Sequence, residues 1–521
     1  MLREIARSRG VARGRGGPWG LASPRRCRAP AARVAATRAT RTLQRVDSAQ
    51  SPAQLTAGQL GTADLTASTL ANIGLGENFY FAFGVIAVTA GVAAPLTILA
   101  AGVAVALLAF TVAQFTRAEP SAGSFITYVE TSLGARAGVL TALLVAVGYT
   151  VAIAGILTMS GGMVSLTLAQ YASWHLPWEP LTLVLSGGAI ALATRGVRLS
   201  TKAVSMAVAV QVAIMITFCV IVLVKRGSHL SASPFSWVHL NHGLAGLSAG
   251  FPLALYMLIG WENGPALAEE ARDPRRSVPR ALYVSVAAGT ALFVFFAYVT
   301  VTGFDYQVSS IGRSSIPFLA VADRYLGGFA VLAWIGGTVS VLATLIAGVN
   351  SQSRMLFDGG RSGLLPARLG RLSSPGGTPV NALHAMAGGG LAIIAVWWAL
   401  HLLGVDHGSS NPVGLYAECS TMGTIVILFV YLLTTLSLPV FMWRRHRGTF
   451  SALRHLVIPL VGSLTLIVPF VELFKPGQPV PYSDFPYLAL ALVALAALAA
   501  CITVHRHPTT GAQEGSAYSG A

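Results

Sequence analysis

Between about residues 62 and 505 the chain alternates long apolar blocks with short polar connections that carry many of its arginines. A helix needs ~20 apolar residues to cross ~30 Å of hydrocarbon. On that measure the blocks divide into twelve spans, at roughly 67–90, 94–116, 136–160, 180–195, 203–224, 246–268, 281–303, 328–352, 381–403, 415–441, 455–474 and 485–504. The pattern predicts an all-α polytopic membrane protein of twelve transmembrane helices.

Two of these blocks are interrupted. Predicted helix 6, inside Phe251–Arg280, breaks at Ile259-Gly260-Trp261-Glu262-Asn263-Gly264-Pro265. Pro265 has no amide hydrogen and clashes with the preceding turn. Predicted helix 1 carries Ile73-Gly74-Leu75-Gly76-Glu77-Asn78, and Gly74 lies 186 positions before Gly260. Both stretches read Ile-Gly, one or two residues, then Glu-Asn. Opened backbone at membrane depth is tolerated only where protein or a cavity surrounds it. Interrupted helices at matching places in two halves point to the binding site of a transporter built from inverted repeats. The freed amides of a half-helix suit an anion and the freed carbonyls an ammonium, so the breaks offer both poles of a zwitterion. Ile73, Gly74, Gly76, Glu77, Asn78, Gly260, Trp261 and Asn263 are therefore expected to bind substrate.

Composition supports the membrane class. Hydrophobic residues make up 54% and charged ones 10%, and the mean hydropathy is +0.66. Soluble domains carry ~25% charged residues. The net charge of +16 has a positional origin, since twelve arginines fall in the first 45 residues. Residues 1–60 are read as a disordered Arg-rich tail without the apolar run of a secretory signal. A transit peptide, a basic arm on anionic lipid and translated upstream sequence all fit it. Elsewhere, eighteen Lys and Arg fall on the connections of one side and five on those of the other. By the positive-inside rule both termini are cytoplasmic, in a protein expected in the plasma membrane. No nucleic-acid partner is needed to explain the charge.

The predicted spans contain acids. Glu77, Glu262 and Glu418 fall within them, and Glu472 near an end, with no Lys or Arg in mid-span. Intramembrane acids are costly and commonly functional. Glu262, beside a break, is the proton-coupling candidate, and Glu77 is its rival. Glu418 reads equally as a packing hydrogen-bonder, and Glu472 as an interfacial group.

At this point the residues resemble the amino acid–polyamine–organocation permeases. Gly260-Trp261-Glu262, Ala266-Leu267-Ala268-Glu269-Glu270, Pro274-Arg275-Arg276 and Pro279-Arg280 look like that family's sixth helix. Arg117–Phe125, Asn350–Arg354 with Asp358-Gly359-Gly360, Gly363–Pro366, and Thr378–Ala382 agree, over about residues 62–505. The resemblance implies a five-plus-five inverted-repeat core. Residues 61–226 would form the first repeat, 243–443 the second, 453–505 the peripheral helices 11 and 12, and 506–521 a C-terminal tail. It also implies that the substrate carboxylate rests on amides of helix 1 and its amine on carbonyls of helix 6. Tyr256 falls where some relatives place a gating aromatic, and on that resemblance it is counted with the substrate-binding residues. Three features depart from the family or inform its use. Glu77-Asn78-Phe79 replaces the usual "G-I-F" after the first break, and Gln211 aligns where some proton-coupled relatives carry a lysine. Some related exchangers have an acid linked to proton sensing at the position of Glu262.

The expected function is secondary active transport of amino acids or related amines by alternating access, proton-coupled or by exchange. A polyamine or cationic amine exchanger, a channel and a transporter-like receptor are the alternatives. An intramembrane enzyme would need a nucleophile with its base, or a metal cluster. The eleven histidines show no ligand spacing and the four cysteines are scattered, so no metal and no cofactor are expected.

Overall fold

A computed structural model describes residues 55–373, 377–404 and 411–506, so the predicted tail segments 1–54 and 507–521 lie outside the described residues. Those described form helices and no strand. In chain order they are α1 (Thr62–Ile73), α2 (Glu77–Ala90), α3 (Ala94–Ala118), α4 (Phe125–Leu133), α5 (Ala135–Ala172), α6 (Trp178–Thr194) and α7 (Val197–Arg226). Then come α8 (Leu244–Tyr256), α9 (Asn263–Ala266), α10 (Pro274–Gly303), α11 (Val308–Gly312), α12 (Pro317–Leu326), α13 (Val331–Arg361) and α14 (Val380–Leu402). The last are α15 (Pro412–Arg445), α16 (Ile458–Thr465), α17 (Ile467–Leu473) and α18 (Phe485–Arg506).

By length and composition, nine helical segments among the described residues can cross a membrane, or ten if α1 and α2 count as one bent span. Two of the twelve sequence-read spans fall short of that measure. α6 has 17 residues, and α8 stops after 13 at the second break. The chain is an integral membrane protein with an all-helical fold.

Small residues let the helices approach where the site is built. A Cβ on Gly423 of α15 would lie 2.9 Å from the Gly148 carbonyl oxygen of α5. In lipid, where apolar burial gives helices little reason to associate, such close backbone packing is a main source of attraction. Tyr149 of α5 and Tyr431 of α15 both reach Glu262.

An ionic cluster joins the chain after the second break to α13. Sequence reading places Arg354 in a connection; instead it lies inside α13 and is fully buried. Burial is possible because Glu270 meets its guanidinium with both oxygens, Nη2 donating to Oε1 at 3.1 Å. Planar two-point pairing of this kind is the strongest form of side-chain ion pair. Two turns on, Arg361 pairs with Glu269, Nη1 to Oε2 at 2.9 Å, and with Asp358. Thr127 of α4 donates to Asp358 Oδ2 at 2.7 Å. Beside this cluster the Gln59 and Leu60 amides donate to the Glu270 carbonyl at 2.8 and 3.0 Å, and Arg272 returns a bond to Leu60 O at 3.0 Å. Leu55 and Leu60 are buried, so packed chain begins before the tail boundary placed at residue 60.

Candidate functional site

α1 stops because Gly74 takes the left-handed conformation (φ 64°, ψ 55°) and its amide turns back to Ala71 O. Only glycine enters that region at little cost. α2 restarts at Glu77, bent 48° from α1. In the second break Gly260 has φ +103°. A Cβ there would sit 2.2 Å from the Asn72 carbonyl oxygen, so the two breaks touch backbone to backbone.

Side chains lock this contact. Asn72 Nδ2 donates to Gly260 O at 3.1 Å. Asn78 Nδ2 donates to Ile73 O at 2.6 Å, in its own break, and to Met257 O at 3.2 Å, in the other. Its Oδ1 accepts from the Tyr416 hydroxyl at 2.7 Å, and Tyr256 in turn donates to Tyr416 Oη at 2.6 Å. Asn263 Nδ2 reaches Ser68 Oγ of α1 at 3.0 Å. The indole of Trp261 faces the rings of Tyr431 and Phe125, centroids 5.5 and 6.3 Å away.

The two acids differ sharply. Glu262 accepts three bonds: from the Tyr149 hydroxyl at Oε1, and from Tyr431 and the Gly260 amide at Oε2, both at 3.0 Å. Its side chain thus satisfies a donor that the break has opened. Glu77 is buried with neither oxygen partnered among the described residues. The amides of Gly76 and Glu77, those freed by the first break, both donate to Ser340 Oγ of α13 at 3.2 and 3.1 Å.

The ten residues expected to bind substrate or respond to protons lie at these two breaks, while Glu418 lies in α15 and Glu472 in α17. Ser340, Tyr149, Tyr416, Tyr431 and Ser420, whose Oγ accepts from the Tyr256 hydroxyl at 2.8 Å, were not singled out, because hydroxyls in apolar spans carry no local pattern that separates them from helix-packing groups. Gln211 does face the first break: a Cβ on Gly76 would lie 2.5 Å from its Nε2 and 3.1 Å from Ser340 Oγ. Gly76→Val is therefore expected to remove transport while leaving the protein inserted and folded, since the clash falls on side chains at the site. Uptake by that variant in proteoliposomes, beside its elution profile in detergent, checks this; near-normal uptake would mean the glycine serves packing alone.

The described residues form an all-helical membrane bundle in which two helix breaks touch and buried acids lie beside them. The chain belongs to the amino acid permease family, which it matches over residues 59–496, and is a permease of the amino acid–polyamine–organocation superfamily. It is 26% identical over 282 residues to an uncharacterized amino acid permease, YecA, of Bacillus subtilis, covering 53% of this chain and 63% of that one. It is 23% identical over 439 residues to the methylthioribose transporter of the same organism (80% and 87% covered). With the branched-chain amino acid permease BcaP, also of Bacillus subtilis, identity is 22% over 394 residues (70% and 78% covered). These relatives are named as permeases and transporters, and the chain is a transporter of amino acids or related substrates.

Proposed function

We propose that this permease is a secondary active transporter that moves amino acids or related amines by alternating access around its two broken helices. The observation that carries this reading is the backbone contact between the breaks, where Gly260 lies against Asn72 and Ile73. A ligand seated at this contact lies against both breaks, so its binding is coupled to any motion that parts them. In this reading the twelve sequence spans form a five-plus-five inverted-repeat core, 61–226 and 243–443, with two peripheral helices. Both termini face the cytoplasm, and the membrane is the plasma membrane. Ile73, Gly74, Gly76, Glu77, Asn78, Tyr256, Gly260, Trp261 and Asn263 form the substrate site.

Glu262 is the proton-responsive group in this scheme. It accepts from Tyr149, Tyr431 and the Gly260 amide. Protonation would turn one acceptor oxygen into a hydroxyl, a donor with weaker remaining acceptor capacity. If that oxygen is Oε2, the bond from the Gly260 amide weakens and the proton acts directly on the break. Transport by Glu262→Gln is expected to lose its pH dependence, whereas Glu77→Gln should retain it. Proton-driven uptake measured across a pH series decides: a wild-type profile in Glu262→Gln would remove the assignment, and a flat one in Glu77→Gln alone would move it to α2.

A further inference from the structure

Glu77 is the buried acid whose needs the protein leaves unmet. Glu270 is paired with Arg354, Asp358 with Arg361, Glu472 with Lys475, and Glu262 is held by three donors. Glu77 is 0% exposed, and both its oxygens lack a partner among the described residues. The polar groups around it are committed elsewhere. Thr344 Oγ1 donates to the Ser340 carbonyl at 2.9 Å. Tyr256 and Tyr416 spend their hydroxyl hydrogens on Tyr416 and Asn78.

Such a carboxyl requires either a proton or a cation. An ionised carboxylate left alone in a low-dielectric interior is strongly unfavourable. Protonation relieves the charge, and the O–H then has the spare lone pairs of Thr344 Oγ1 beside it, but the other oxygen stays buried without a donor, which carries its own penalty. An ammonium removes both problems, because it brings charge and up to three donors to two vacant acceptor oxygens. The surroundings also select against an anion. The Gly76 and Glu77 amides, where a carboxylate would find its donors, are already taken by Ser340 Oγ.

Resting on the transport reading above, we propose that Glu77 is the subsite for a substrate ammonium, so that the permease takes amines and amino acids with a cationic side chain in preference to neutral zwitterions. The carboxylate receives the ammonium directly, and the Tyr256–Tyr416–Asn78 relay holds the α2 start in place around it.

The test uses the full chain in lipid nanodiscs and follows thermal stabilisation by 1,4-diaminobutane, lysine and leucine, since a ligand that binds the folded state stabilises it. The diamine and lysine are expected to stabilise the wild type more than leucine does. Glu77→Gln should weaken both cations by about ten- to a hundredfold, the loss of one charge-assisted contact, and Glu77→Asp should retain part of the binding. The ligand-free melting temperature of each variant reports whether it has folded. Should Glu77→Gln not fold, the wild-type ranking and Glu77→Asp still decide. Unchanged cation affinity in Glu77→Gln overturns the proposal. So does a wild type that neither cation stabilises; leucine uptake by the same preparation would then leave the transport reading standing, and no uptake of any of the three would end that reading too.

Discussion

Gly260→Ala is expected to abolish uptake and to lower the melting temperature sharply. Two penalties coincide there. The backbone sits at φ +103°, where a residue with a Cβ is strained, and the added carbon would lie 2.2 Å from Asn72 O, 2.5 Å from Asn72 C and 2.9 Å from Ile73 N. Strain at such an angle costs roughly 1–3 kcal/mol. The clash adds to it, because the obstructing atoms are backbone of the other break and cannot rotate away. Relief requires the breaks to part, which removes the Asn72 bond to Gly260 O and displaces the Gly260 amide from Glu262. Gly264, four residues on, supplies the control. A Cβ there would meet Val278 Cγ1 at 3.6 Å and Thr69 Oγ1 at 3.7 Å, ordinary contacts. Gly264→Ala should therefore fold and transport much like the wild type. Parallel melting curves and initial uptake rates for both variants make the comparison; equal behaviour of the two would mean the contact between breaks does not govern function.

The breaks themselves were legible because their signals are local. Gly260, Gly264 and Pro265 interrupt an apolar run, and an acid stands at membrane depth beside them, each visible within a few residues. Helix ends were less legible. α5 runs from Ala135 to Ala172, well past the expected end near 160, because apolar and small residues continue beyond one hydrocarbon thickness. The state of the two acids was not legible at all. Ile-Gly…Glu-Asn recurs at both breaks, yet Glu262 is held three times and Glu77 not once. The difference lies in Tyr149 and Tyr431, 113 and 169 positions from Glu262. Arg354 carries the same lesson. Counted as a loop cation, it is buried because Glu270 stands 84 positions away in sequence and across the fold.

That pair leads to the second large effect. Arg354→Met and Glu270→Met are each expected to destabilise the protein by ~3–5 kcal/mol, because each leaves one buried charge without its partner. The double substitution should recover much of the loss, since two methionines of similar bulk remove both charges at once, and replacing a buried pair by apolar groups is often neutral. The pair has more to hold than itself. Glu270 also offers its carbonyl to the Gln59 and Leu60 amides, and Arg354 reaches the Asn350 carbonyl, so one contact joins the chain after the second break to α13 and to the segment entering α1. If this junction keeps the arginine-rich face shut, the double variant should regain stability without regaining wild-type transport, because its apolar contact can part without exposing charges. Melting temperatures around the full cycle test the energetic half, and uptake by the refolded double variant tests the other. A double variant no more stable than either single one would show that Arg354 and Glu270 act separately; one that transports normally would show that the pair serves folding and not closure.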